Sequence, residues 1–442
     1  MRRAIGAALI ALVAVTALLL PRPDEPEGSA AGPVDELPFL EPSAIAGVWY
    51  CPWGQASATR DSFVAVASVE QATAEFTFPV PVPGEPGDTA RLELIGPGAG
   101  GLDLTQVALR GEAPGFVEFS GGPAAASVAV GSDEFLAADT CVSSGPKIWH
   151  LPGGSTREGQ QLRLRLFNPF PEDAKVTVTV VSEIAFEPLS DLRGIEVPGR
   201  SWRDVDFEER LRLRESLALT VTSDEGLILP AMSLVNGVDE AWWPGVGLSE
   251  TWEFPVVRHR GLKPTLAVDN PGDLPVTVTI DVFTPTGGIA DARTVEILAA
   301  GPARIPLEDL EGDQMAIRVR ASGPISAAVV AEGSKGLAAT IGAPRPDLRW
   351  LLPGVRSVGQ TSGFLWVLNS SDEVIAVTLT PLGGEQLEGE KISIQPGTVR
   401  VVEVTRDDAV GYLAASLQPF TAAWSADGPQ GVAFSLGAGL GQ

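Results

Sequence analysis

Two cysteines, two histidines, two tyrosines and three methionines are all that 442 residues supply of those types. No G-x-S-x-G, H-E-x-x-H or C-x-x-C occurs, and His150 and His259 are too few to assemble a Ser-His-Asp constellation. Neither catalytic residues, a metal site nor a cofactor is expected, and the chain is expected not to be an enzyme. Positive charge is also short: 31 Lys and Arg against 56 Asp and Glu leave a net charge of −25. Such a field repels phosphate backbones and excludes nucleic acid as a partner. Amphipathic helical stretches are missing, which argues against a parallel α/β fold.

Gly (49) and Pro (37) are abundant and spread along the chain, a profile of many short strands broken by turns. At the N-terminus "MRR" precedes the uncharged run "AIGAALIALVAVTALLL" at residues 4–20. As a helix it would be about 25 Å long at ~1.5 Å per residue, near the lower limit for crossing a bilayer. The arginines keep its start cytoplasmic, so the rest of the chain is expected outside the cytoplasm. Residues 1–20 are therefore expected to form a signal anchor with a single pass through the cell membrane. A cleaved signal peptide and secretion are the alternative. Residues 21–46 hold six prolines and six carboxylates and are expected to form an extended acidic spacer.

Beyond residue 46 one pattern recurs. "WYCP" (49–52), "WHLP" (149–152), "WEFP" (252–255) and "WLLP" (350–353) place Trp49, Trp149, Trp252 and Trp350 at separations of 100, 103 and 98 residues. Ser68, Asn168, Asn270 and Asn369 follow them by eighteen or nineteen positions, each behind alternating apolar residues. "KVTVTV", "PVTVTI" and "IAVTLT" come next, again with the period of two that marks a half-buried strand. A domain-sized period of this kind indicates duplicated units. The expected fold is all-β: four tandem immunoglobulin-like β-sandwiches at 47–146, 147–249, 250–347 and 348–442, joined in a semi-rigid array. The four tryptophans are expected to seal the seam between each unit and its predecessor.

Cys51 and Cys141 bracket the first unit, and in an exported chain such a pair is expected to form a disulfide between its first and last strands. His150 occupies a variable flank of its motif and His259 a solvated face. Trp366 and Trp202 fall on strand positions where the other units carry polar or small residues. Both are expected to face outward, as candidate ligand-binding residues.

The anchor, acidic spacer, W-x-x-P repeats and Asn-Pro turns resemble a family of actinobacterial cell-envelope proteins known only as a domain of unknown function, over roughly residues 45–442. The resemblance implies a surface location and no enzyme chemistry. The expected function is a membrane-tethered structural or binding protein of the envelope, its partner a polysaccharide or another envelope protein. The alternatives are a glycan-binding accessory to cell-wall or exopolysaccharide assembly and, from another class, an envelope hydrolase with a divergent carboxylate site.

Overall fold

The period-two stretches become strands whose burial alternates residue by residue, as in Ala174–Ser182 and its counterparts Val276–Thr284 and Ile375–Leu382. The computed structural model describes residues 40, 44–57, 59–79, 87–107, 110–354, 362–383, 388–404 and 410–441. The expected membrane segment at 4–20 and most of the spacer lie outside the described residues. No helix among the described residues is long and apolar enough to cross a membrane.

About every hundred residues the chain builds two antiparallel sheets. In the first pair, Ala46–Cys51, Gly115–Ser120, Ala72–Phe78 and Asp88–Leu94 form one sheet, in that order, and Leu136–Thr140, Ala124–Gly131, Asp61–Ser68 and Gly98–Asp103 the other. The third pair repeats this with one economy. Met315–Gly333 is a single strand whose first half pairs with Ser249–Arg258 and whose second half pairs with Lys263–Asn270 and Gly336–Ile341. Gly411–Gly428 does the same in the fourth pair. The Trp-bearing strand and the strand after it thus lie in different sheets. In an immunoglobulin constant domain the first two strands share a sheet, so the strand order differs from the immunoglobulin one. Alternation specifies which side chains are buried but not which strands pair.

The landmark residues hold this topology. Each repeated tryptophan is buried, and its indole N–H donates to a carbonyl where the chain crosses between sheets: Trp49 to Ala124 (2.6 Å), Trp149 to Ile228 (2.9 Å), Trp252 to Ile325 (3.0 Å) and Trp350 to Phe420 (2.7 Å). All four acceptors belong to the tryptophan's own sheet pair. The tryptophans are therefore core residues, each bonded to a crossover carbonyl of its own sheet pair, where a place at the seams was expected. The landmark asparagines fasten the next turn. Asn168 Nδ2 donates to Glu172 O (2.9 Å), Asn270 Nδ2 to Leu274 O (2.9 Å) and Asn369 Nδ2 to Glu373 O (2.8 Å), each closing the same five-residue loop.

The sheet pairs close on one another. Leu136–Thr140 packs on both Asp239–Pro244 and Gly431–Leu436, and Gly336–Ile341 packs on the same two strands, so the first pair touches the fourth as well as the second. These four strands are almost wholly buried and rich in alanine (Ala137, Ala138, Ala241, Ala338, Ala339, Ala433), which lets four sheet edges meet. At one end Gly336 and Gly431 turn with φ of 128° and 152°, and a Cβ on Gly431 would lie 3.3 Å from the Leu136 nitrogen. The described residues from 44 onward thus form a ring of four sheet pairs, a closure that the expected semi-rigid array did not specify. Cys51 and Cys141 are disulfide-bonded across a 90-residue separation with Cα atoms 4.6 Å apart, joining the first strand of the first pair to the end of its last. Closing a loop of that length contributes about 4–5 kcal/mol in the chain-entropy model.

Candidate functional site

In a strand, the residue after an inward tryptophan points out of its own sandwich. In this ring that direction leads into a neighbouring sheet pair. The four residues at the second motif position are Tyr50, His150, Glu253 and Leu351, and each makes a seam. The Tyr50 ring lies 5.5 Å from that of Phe170 in the second pair. His150 Nδ1 lies 3.9 Å from Asp269 Oδ2 of the third pair, and 3.2 Å from Thr220 Oγ1 of its own. Glu253 accepts hydrogen bonds from Ser370 Oγ (2.5 Å) and Thr421 Oγ1 of the fourth pair. Leu351 completes the ring by joining the core that holds Trp49, Cys51 and Val64 of the first pair, beside a bond from Ser127 Oγ to Pro353 O (3.0 Å). The backbones of Tyr50, His150 and Glu253 also pair with Val142, Val246 and Ala343, pinning the exit of each pair. His150 is thus a seam residue and not a variable flank.

Ionic contacts reinforce the seams. Arg157 meets Glu332 at 2.7 Å, and Arg260 meets Asp427 at 2.7 Å. Between the first and second pairs, Arg165 is 0% exposed and reaches Glu112 (2.7 Å) and Asp204 (2.8 Å), with its guanidinium 4.2 Å from the Trp53 ring centroid and 5.9 Å from that of Trp202. Burial opposes its charge, but the bonds and charges of Asp204 and Glu112 outweigh that and hold its pKa above the ordinary value. Trp202, expected outward, is half-buried and packs against the core beside this cluster.

Burial dominates the other seam groups. It pushes Asp269 up to about 7 and His150 down to about 4. It also raises Glu253, although the Ser370 and Thr421 hydroxyls and the charge of Arg318 pull the other way.

Two grooves also lie at seams. One of about 1030 Å³ lies between the third and fourth pairs, lined by His259, Arg260, Thr284, Thr286, Glu311 and Phe364 among others. Its counterpart of about 530 Å³ between the second and third pairs is lined by Arg157, Glu183, Lys263, Arg304 and Glu332. His259, expected on a solvated face, is 3% exposed. Its ring lies 4.7 Å from that of Phe364 and 5.5 Å, edge-on, from that of Trp366. Burial, and then the charge of Arg260, lower it to about 4, so it is neutral at pH 7. Its Nε2 has no hydrogen-bond partner among the described residues, which costs about 1–3 kcal/mol.

Trp366 is the clearest correction. It is 0% exposed, and its indole N–H donates to Ser425 Oγ at 2.8 Å. Residues 363–369 are buried on both faces, one against their own core and the other toward the neighbouring pair. Period-two parity cannot separate inside from outside in such a strand. Composition held one clue: "GFLWVLN" is an unbroken apolar run, not an alternating one.

The groove combines hydroxyls, carboxylates and an amide with the exposed Ile289, which together can form hydrogen bonds and apolar contacts. Among the described residues no group of three or more His, Cys, Asp or Glu is placed to hold a metal ion.

Architecture and sequence together define an all-β protein of tandem, mutually packed sheet pairs. The chain belongs to a family of unknown function, DUF5719, whose model matches residues 98–405. No curated protein matches it in sequence. Among solved structures it is similar to Thermotoga maritima 1070 (20% identity, TM-score 0.19, covering 22% of this chain and 95% of that one). It is also similar to the Streptomyces avermitilis α-L-rhamnosidase complexed with L-rhamnose (11% identity, TM-score 0.15, covering 87% and 57%), and to the chicken CNTN1 FN1-FN3 domains (13%, 0.09, covering 64% and 94%). At TM-scores this low none bears on fold or function.

Proposed function

We propose that the protein is an exported, non-enzymatic structural or binding protein of the cell envelope, tethered by residues 4–20. In this reading four duplicated sandwich units of about 100 residues are closed into a rigid platform. The observation that carries it is the use made of the chain's reactive side chains. His150, Glu253, Asp269 and Arg165 are all engaged in holding sheet pairs together, which suits a rigid body that presents surfaces. Its only two cysteines are joined, as suits an oxidising compartment. The actinobacterial origin implied by the family resemblance belongs to the same reading. The test is fractionation of intact cells. The account expects the protein in the membrane fraction, its C-terminus cleaved by added protease and both thiols unlabelled until reduced. A cytosolic protein with free thiols would overturn it.

A second reading, glycan binding, is favoured by the mixed polar and apolar lining of the groove between the third and fourth pairs.

A further inference from the structure

We infer that the groove between the third and fourth sheet pairs binds an uncharged, hydroxyl-rich glycan. This deepens the second reading, and it rests on the envelope reading only for where such a glycan would be met.

Size and lining agree on the class of ligand. About 1030 Å³ lies at the top of the usual range for ligand pockets, about 300–1,000 Å³. The walls are turns of the third pair set against strand residue Phe364 of the fourth, and they offer hydrogen-bonding groups of several kinds: the Thr284 and Thr286 hydroxyls, the Glu311 and Asp313 carboxylates and the Gln314 amide. Apolar surface lies between them at Pro285 and Ile289, the latter 55% exposed, with the nearly buried Phe364 at the floor. Hydroxyls that donate to carboxylates while C–H faces lie on apolar side chains are what a sugar ring supplies.

Charge narrows the class. Among the described residues Arg260 is the one cation in the lining, and Asp427 already pairs with it. Glu311 and Asp313 make no ion pair among the described residues, so the groove presents negative charge and disfavours phosphate- or uronate-bearing chains. His259 lies beneath this lining, its Nε2 buried, and braces the groove floor against Phe364 and Trp366 rather than meeting an occupant.

The counterpart groove shows what a seam without a ligand role looks like. There Thr265 stands where Phe364 does, and ion pairs fill the lining: Arg157 with Glu332 (2.7 Å), Arg304 with Glu332 (3.4 Å) and Lys263 with Glu308 (3.1 Å). A ligand there would have to desolvate or break those pairs. In the larger groove, among the described residues, no such pair stands between ligand and wall except that of Arg260.

The experiment is saturation-transfer NMR with the full chain in a detergent that lacks a sugar headgroup. The neutral probes are cellohexaose, maltohexaose, mannohexaose and xylohexaose, and the anionic controls are polygalacturonate and poly(glycerol phosphate). Binding of at least one neutral probe is expected at about millimolar Kd or tighter, with none for the anionic polymers. The exposed-face double substitution Glu311→Ala with Asp313→Ala is expected to weaken it by about tenfold or more at unchanged melting temperature. Failure of all four neutral probes, equal binding of the anionic polymers, or unaltered binding by the double variant would each overturn the inference. Capture of a peptide or protein in place of sugar, lost in the same variant, would overturn the ligand class. None of these results touches the cell fractionation that tests the envelope reading.

Discussion

His150 Nδ1 and Asp269 Oδ2 face each other at 3.9 Å across the seam between the second and third sheet pairs, both nearly out of solvent. Two groups that titrate in opposite senses are thereby placed in one contact, and their effects on stability oppose each other.

Asp269 has its folded pKa raised to about 7, so alone it stabilises the fold below the ordinary carboxyl range and loses that contribution as pH rises toward 7. His150 is lowered to about 4, so alone it is a liability at acid pH that disappears as pH rises through 6.5. Together they keep stability nearly flat from pH 4 to 6.5. The account expects Asp269→Asn to become acid-sensitive and His150→Gln to become base-sensitive, each by up to about 3 kcal/mol over that interval. Urea melts at pH 4.5 and 7 check this. Parallel profiles in both variants would contradict it.

The crossover bonds predict a shared penalty. Trp149→Phe removes the donor to the Ile228 carbonyl and part of the buried volume, at a cost of about 2–4 kcal/mol. Trp350→Phe is expected to cost a similar amount. Denaturant midpoints within experimental scatter of wild type would mean that the indole bonds are incidental.

Trp366→Ala is expected to cost about 3–5 kcal/mol, as for a large core truncation, because the ring is fully buried and supports His259. A surface-like change below about 1 kcal/mol would restore the outward placement that strand parity alone suggests.

Cys51→Ala removes about 4–5 kcal/mol of loop-closure stabilisation. Because the apolar core around Cys51 takes in Leu351 and Leu382 of the fourth pair, and Leu136 of the first pair belongs to the core shared by the other three, the loss is expected to move one cooperative calorimetric transition to lower temperature. An early transition of the first pair alone, with the rest unchanged, would indicate independent units.

The tandem organisation was legible because the residues that maintain it repeat in phase. A tryptophan bonds the crossover, an asparagine ties the turn, and both need one specific side chain at one specific place. The disulfide was legible because only one pairing exists. Ring closure was not, because the residues that make it differ at every seam. Tyr50 meets a tilted aromatic ring, His150 faces a carboxyl, Glu253 accepts hydroxyls and Leu351 packs on an apolar core, so the position looks variable although its location in the fold is constant. His259 and Trp366 were misplaced for a related reason. In a sheet covered on both faces, alternation no longer distinguishes core from solvent.

The contact between the fourth and first sheet pairs is the feature that separates a closed ring from an open row. A Cβ on Gly411 would lie 3.0 Å from that of Ala99, close to disulfide range after slight relaxation. In a row those positions would be separated by two intervening sheet pairs. The decisive measurement is therefore a non-reducing gel with peptide mass mapping of the Ala99→Cys, Gly411→Cys double variant after oxidative refolding. The account predicts an intramolecular 99–411 link alongside the native Cys51–Cys141 bond. Free thiols at both engineered positions, or links only between molecules, would contradict it.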